Sequence, residues 1–328
     1  MDAVAALLNG PRASGAFLLR SVLRAPWSMR IADEAPLTVL AVLRGSAWVL
    51  SGRRVEQLGT GAVALLRGPE PYTVADDPAT APQVAIGPGQ VCTPLGAAVM
   101  AGLGTRTWGN DADGETTLLT GTYTVPGAVG ERLVRALPAL VVVPPDEATA
   151  AVTGLLAAEM ARDAPGQEAV LDRLLDVALV SALRAWAAQP GTGAPGWYLA
   201  HGDPVVGPAL RLVHDRPAEP WTVGSLAAAV GVSRATLARR FTDLVGEPPM
   251  SYLTGWRIAL AADLLADPAL TVAGIARRVG YATPFALSTA FKRVTGVSPA
   301  THRRRRRLEA PLPRPLSLIH ISEPTRPY

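Results

Sequence analysis

The chain has 328 residues, a length that suits two domains, with 18% charged residues and a formal net charge of +4. A single cysteine, Cys92, excludes an intrachain disulfide and a thiolate metal cage, and no apolar run is long enough to span a bilayer. The amino terminus carries no positively charged apolar leader, so a soluble cytoplasmic protein is expected.

Charge is divided unevenly. Residues 208–310 hold 15 Arg/Lys against 7 Asp/Glu, whereas residues 1–207 hold 14 against 19. A basic carboxy-terminal part joined to a mildly acidic one predicts phosphate binding at one end only. Lys292 is the only lysine, so the positive charge is almost entirely arginine.

In chain order, the first half reads as β. Short apolar runs separated by Gly, Pro and Asp lie at 16–19, 37–43, 47–50, 62–66, 83–86 and 117–120, the pattern of a small barrel or sandwich. Leu, Val and Ala recurring at three and four positions then predict helices over 151–161 and 170–188. On the second of these, Leu171, Leu174, Leu175, Ala178, Leu179, Ala182 and Leu183 form an a/d-like stripe. It serves either as a packing layer on the sheet or as a homodimer interface. Residues 190–195 (PGTGAP) read as a linker, and Asp203-Pro204 opens the second half.

The second half repeats itself. Thr222-Val223, Leu226-Ala227, Val230-Gly231, Leu237, Phe241 and Gly246 recur as Thr271-Val272, Ile275-Ala276, Val279-Gly280, Leu287, Phe291 and Gly296. The offset is 49 residues up to the glycine turn and 50 after it. Each copy predicts a Thr-capped short helix, a left-handed glycine turn and a second helix with Arg, Ser or Thr on its outer face. Two helix-turn-helix units explain that repeat better than two ordinary helical hairpins do.

Residues 208–307 resemble the DNA-binding domain of AraC/XylS-family transcription regulators. The resemblance rests on 232–241 (VSRATLARRF), on Gly280-Tyr281, on 290–293 (AFKR) and on 296–299 (GVSP), with Met250 to Leu265 as the linker helix carrying Arg257. It implies an α+β chain: an amino-terminal cupin-like β-barrel with two following helices, then an all-α DNA-binding domain of two helix-turn-helix units joined by a linker helix. The expected boundaries are 1–189 for the sensor and dimerisation domain, 190–204 for the linker and 205–307 for the DNA-binding domain. The stretch 58–72 is similar to the cupin strand pair that ends in Pro-His, but Tyr72 stands where the histidine would be. The four histidines, His201, His214, His302 and His320, all lie outside the barrel, so no metal site and no cofactor are expected there.

What the resemblance implies is a sequence-specific transcription regulator, not an enzyme, with double-stranded DNA as partner. RNA polymerase, a second copy of the chain and an unknown small-molecule effector are the other partners it brings into view. In the first unit Ser233 caps the recognition helix, and Arg234, Ala235, Ala238 and Arg239 form its outward face. Arg239 is the candidate guanine reader, with a phosphate clamp as the alternative; Arg240, rotated by about 100°, is directed to backbone. In the second unit Thr283, Pro284, Ala286 and Thr289 are outward and Lys292 and Arg293 are placed for phosphates, making it the weaker reader. Residues 208–310 are expected to bind duplex DNA on their own with strong salt dependence. The Arg303–Arg307 run adds either a solvated tail or non-specific phosphate attraction.

For the effector, Arg24, Trp27, Arg30, Trp48, Tyr72 and Trp108 are the aromatic and cationic residues near predicted strands. Lining a barrel mouth, they would suit a small organic ligand, anions included; the competing role for each tryptophan is core packing. Cys92 is either a redox sensor or inert packing. A cupin-type enzyme or a DNA-repair methyl acceptor fused to this DNA-binding domain are the alternatives. The first would need metal ligands or a nucleophile-base pair in the barrel, and the second a Pro-Cys-His setting for Cys92. The ending 316–328 breaks the compositional style of the chain and resembles translated sequencing adapter, so 308–328 are expected to be a disordered, partly non-native tail.

Overall fold

The computed structural model describes residues 17–96, 100–123, 128–189, 191, 193–194 and 196–309; the adapter-like ending lies outside them. The described residues fall into two compact units, one within 17–123 and 137–191, the other within 128–136 and 193–309.

The first unit is built on thirteen strands among the described residues: β1 (Phe17–Leu23), β2 (Ser28–Ile31), β3 (Leu37–Arg44), β4 (Ser46–Ser51), β5 (Arg54–Gly59), β6 (Val63–Arg67), β7 (Tyr72–Ala75), β8 (Val84–Gly87), β9 (Val91–Pro94), β10 (Ala101–Gly104), β11 (Thr107–Gly109), β12 (Thr116–Tyr123) and β13 (Leu140–Val143). The six expected runs correspond to β1, β3, β4, β6, β8 and β12. Helix α1 (Ala128–Ala136) lies between β12 and β13 in the chain but belongs to the other unit. The strands form a seven-stranded sheet ordered β10-β11-β1-β12-β3-β6-β13 and a six-stranded sheet ordered β5-β4-β7-β2-β8-β9. Side chains of both sheets, among them Leu40, Val42, Leu118 and Trp108 of the first and Val49, Leu58 and Val74 of the second, share one core cluster. Two facing sheets with one apolar interior make the cupin-like barrel.

Strand β3 is buried on both faces from Leu37 to Val42, which is why it reads as a continuous apolar run rather than an alternation. Leu40 and Val42 face the barrel interior. The outer face is covered by α2 (Glu147–Met160) and α3 (Gln167–Ala188). Asp146 accepts from the Thr149 N–H, so α2 starts four residues ahead of the apolar spacing that predicted it. Against α3 the sheet is so close that a Cβ on Gly121 would stand 2.5 Å from Leu175 Cδ1, and Tyr123 donates its hydroxyl hydrogen to the Leu175 carbonyl at 2.9 Å. Leu171, Leu175, Ala178, Leu179, Ala182 and Leu183 are buried within the single chain, and Leu174 half-buried. The stripe serves as the packing layer.

The second unit is helical: α1, then α4 (Gly196–Leu199), α5 (Val206–Asp215), α6 (Val223–Ala229), α7 (Arg234–Val245), α8 (Pro249–Leu264), α9 (Val272–Arg278), α10 (Pro284–Thr295) and α11 (Pro299–Glu309). Its boundary differs from the expected one in two places. Residues 196–202, expected as linker, are part of the unit: Trp197 is buried and Gly196 packs so closely that a Cβ would meet the Leu244 carbonyl oxygen. Helix α1, expected within the sensor, packs on α8. Asp263 accepts from the first backbone N–H groups of α1, at 2.5 Å from Ala128 and 3.3 Å from Val129. Arg132 donates to Glu247 at 3.0 Å and lies over the Tyr252 ring at 4.6 Å. No helix among the described residues is long and apolar enough to cross a membrane.

Candidate functional site

The two helix-turn-helix units are near copies in three dimensions as in sequence. Thr222 caps α6 by accepting from the Ser225 N–H, and Thr271 caps α9 by accepting from the Gly274 N–H. Gly231 and Gly280 make the turns at φ of +73° and +83°, a left-handed conformation that favours glycine. Ser233 then caps α7 through the Thr236 N–H, and Thr283 caps α10 through the Ala286 N–H, both at 3.1 Å. Leu237 with Phe241, and Leu287 with Phe291, are fully buried, which fixes which face each recognition helix turns outward. Gly246 and Gly296 close the helices in left-handed caps.

On α7, Arg234, Ala235, Arg239 and Arg240 are exposed and Ala238 half-buried. The guanidiniums of Arg234 and Arg239 make no hydrogen bond or ion pair among the described residues. Arg240 differs: its Nε and Nη2 donate to Asp203 Oδ2 at 2.9 and 2.7 Å. Asp203 Oδ1 in turn accepts from the backbone N–H groups of Val205 and Val206 at the start of α5. The arginine expected to grip phosphate thus ties α7 to α5 within the protein.

On α10, Thr283, Pro284, Ala286, Thr289, Lys292 and Arg293 are all exposed, as expected. Two further features lie outside the expected set. Phe285 is exposed beside them, and Arg277 and Arg278 stand exposed at the end of α9. The signal for the arginines was present: they replace Ala228 and Ala229 of the first copy. The Arg303–Arg307 run lies on α11, where Arg303 donates to the carbonyls of Leu265 at 3.2 Å and Leu270 at 2.6 Å, while Arg304 and Arg305 are exposed. Its first member secures the end of the linker helix rather than trailing in solvent.

Arg257 of α8 bridges the two helix-turn-helix units. It donates to the carbonyls of Pro217 and Glu219, both at 2.7 Å, just ahead of the first unit, and lies over the Tyr281 ring in the second at 5.8 Å. Half burial draws its guanidinium below the usual arginine range without discharging it.

The barrel contains a cavity of about 40 Å³. Phe17, Leu19, Met29, Ile31, Leu40, Val74 and Ile86 make most of its wall, with Tyr72, Trp108, Asp33, Gln90, Ser21, Thr120 and Thr122 as polar points. Trp108 is 2% exposed, and its Nε1–H is buried without a hydrogen-bond partner among the described residues. Asp33 accepts from Gln90 Nε2 at 2.8 Å and from the Ala35 N–H at 3.1 Å. Burial pushes the Tyr72 phenol up, so it stays protonated.

Of the six residues expected to hold an effector, only Tyr72 and Trp108 line this cavity. Trp27 is fully buried in the core, Trp48 half-buried on β4, and Arg30 exposed on β2. Arg24 is exposed and pairs with Asp111 and with Glu115 at 2.9 Å. Among the described residues on the cavity wall the charged side chain is that of Asp33, a carboxylate, where an arginine was expected. Cys92 is buried in the core and burial pushes its thiol up, so it acts as packing rather than as a reactive thiolate.

A cupin family model matches residues 2–188, more than half of the chain, and a helix-turn-helix domain model matches residues 226–305. Over 284 residues the chain is 35% identical to an AraC-like transcription regulator of Streptomyces lividans, a match spanning 85% of this chain and 90% of that one. The chain belongs to the AraC-like transcription regulators. The chain is also similar to the HTH-type transcriptional regulator AlkR of Acinetobacter baylyi, 36% identical over 148 residues that span 45% of this chain and 48% of AlkR. Among solved structures, the DNA-binding domain of AdpA in complex with a target DNA is 33% identical, covering 33% of this chain and 97% of that one, with a TM-score of 0.32. As an AraC-like regulator the chain is a DNA-binding protein of transcription control, with a helix-turn-helix domain preceded in the chain by a cupin-like barrel.

Proposed function

We propose that Arg239 reads a guanine in the major groove, and that a small, mainly apolar effector in the barrel cavity controls DNA binding. For the DNA contact, the supporting observation is that Arg239 is exposed on α7 with an unengaged guanidinium, next to an Arg240 that the protein holds for itself. Lys292, Arg293, Arg277 and Arg278 supply phosphate contacts around the second unit. Binding-site selection with the full chain tests this: Arg239→Ala should lose guanine at one position and weaken the selected site by roughly 1–3 kcal/mol. An unchanged base profile would sink the assignment.

For the effector, the supporting observation is the unpartnered Trp108 Nε1–H in a largely apolar cavity. A buried donor without a partner is costly and uncommon, so it marks the place for an acceptor. With Asp33 on the same wall, a neutral molecule carrying one carbonyl, ether or hydroxyl oxygen on an apolar body suits the site better than an anion does. At about 40 Å³ the cavity has room for about three waters, so an effector of several carbons enters by displacing side chains of the wall. A panel of small apolar ketones, esters and alcohols, scored by thermal shift and by its effect on DNA binding, tests the reading. Trp108→Phe should abolish the response while leaving effector-free DNA binding unchanged. A full response in Trp108→Phe would show that the indole donor is not the recognition point.

A further inference from the structure

Phe285 is 81% exposed, more than any other large apolar side chain among the described residues. Phe241 and Phe291, by contrast, are the fully buried anchors of the two recognition helices. Phe285 is the second residue of α10, directly after Pro284 at the first helical position and two residues after the Thr283 cap. A capped first turn beginning with proline holds this part of the backbone rigid. On a helix, residues three, four and seven apart share a face, so Phe285 lies in line with Ser288, Thr289 and Lys292. The first copy carries Ala235 at the matching position.

An aromatic ring left in water at the leading turn of a recognition helix needs an apolar partner that its position can reach. The major groove offers one apolar group, the C5 methyl of thymine, and phenylalanine is among the side chains that contact it. The charges around the ring, Lys292 and Arg293 on α10 and Arg277 and Arg278 on α9, complement a phosphate backbone and not a basic or apolar protein surface. We propose that Phe285 is a base-reading residue of the second unit, packing its ring on a thymine methyl and giving that half-site a thymine preference. The second unit then reads shape and methyl groups where the first reads hydrogen bonds. The inference rests on the DNA-binding function of the family and is independent of the effector cavity.

The test uses the full chain. A site is first selected from random duplexes, and each of its thymines is then replaced singly by deoxyuracil, which lacks only the methyl group. Burying one methyl is worth about 0.8 kcal/mol, or roughly fourfold in Kd. One thymine under the second unit should therefore show a three- to fivefold loss on conversion to uracil with the wild-type protein, and none with Phe285→Ala. Phe285→Leu, still apolar, should keep part of the sensitivity. Selection with Phe285→Ala should lose that thymine while retaining the guanine assigned to Arg239. Three outcomes overturn the proposal: no uracil-sensitive thymine in the wild-type half-site, equal sensitivity in wild type and Phe285→Ala, or an unchanged base profile with transcription lost in a reconstituted system. The last would make Phe285 a contact for a protein partner instead. Because uracil substitution is read on the wild-type chain, the question is decided even where the alanine variant binds poorly.

Discussion

Nη2 of Arg257 stands 2.8 Å from where a Cβ on Gly280 would lie. Arg257 belongs to the linker helix and Gly280 to the turn of the second unit, and the same guanidinium holds the carbonyls of Pro217 and Glu219 ahead of the first. One guanidinium of the linker helix thus packs against both the lead-in to the first helix-turn-helix unit and the turn of the second, fitting beside a residue that has no side chain.

Gly280→Ala should be far more costly than Gly231→Ala. Both glycines have a left-handed φ, which alone costs an alanine about 1–2 kcal/mol. At Gly231 a Cβ meets nothing within 4 Å, whereas at Gly280 it would also overlap the Ala218 carbonyl oxygen at 2.7 Å. The expected loss is about 3 kcal/mol or more for Gly280→Ala, measured by urea denaturation. Equal losses would show that Arg257 and the Ala218 loop yield without cost.

The salt dependence of DNA binding should separate Arg240 from the phosphate-facing residues. With several phosphate contacts, the full chain should show a log–log salt slope of about −4 to −8. Lys292→Ala and Arg293→Ala should each make it shallower by about one. Arg240→Ala should leave the slope alone and instead lower stability by about 0.5–1 kcal/mol, since its partner is Asp203 and the pair is partly exposed. A shallower slope in Arg240→Ala would mean that the ion pair opens on DNA.

These contrasts mark how far the residues alone carry the reading. The caps Thr222 and Thr271 and the anchors Phe241 and Phe291 are legible because each pair recurs at matching spacing, so local chemistry and repetition agree, whereas Thr283, expected only on the outward face, is also the cap of α10. The pairing of Arg240 is not legible, since it depends on Asp203, 37 positions away. In the barrel, closeness to a strand did not tell which face a side chain takes. Trp27 and Trp108 look alike in sequence, yet one fills the core and the other lines the cavity. Asp33 and Gln90 carry no signal in the sequence because they meet only when segments 57 positions apart fold together. Helix α1 was hidden by its neighbours: its apolar residues Val129 and Val134 are flanked by strands in the chain and buried in the other unit.

Stability should fall on acidification through His214. Burial lowers this imidazole to about 3, with His201 and Arg132 contributing, and Nε2 lies 2.9 Å from the Tyr252 hydroxyl. The unfolded value is about 6.5, so the folded state favours the neutral ring. Its contribution is complete above about pH 6.5 and is lost as pH falls toward 3, by about 2 kcal/mol at pH 5. His214→Gln cannot titrate, so the pH 7.5 to 5 decline measured by urea denaturation should be smaller by that amount. An identical decline in both proteins would place the acid sensitivity elsewhere.

Asp263→Ala should free helix α1. The carboxylate holds the backbone N–H groups of Ala128 and Val129, and losing such a cap costs about 1–2 kcal/mol. Hydrogen exchange should accelerate within 128–136 while the strands of the barrel keep their protection. Unchanged exchange there would show that the Arg132 contacts to Glu247 and Tyr252 suffice.

The position of α1 has a consequence for how such regulators can be rearranged. The described residues change unit three times along the chain, between 123 and 128, between 136 and 140, and between 191 and 193. A gene cut once, between sensor and reader, would leave α1 behind with the sensor. Residues 208–310 taken alone would likewise lack both α1 and the Trp197 segment, uncovering Tyr252 and the end of α8. An exchange of sensors between two regulators of this design must carry a matched helix with it, so recombination at the apparent domain border yields a reader with a missing part.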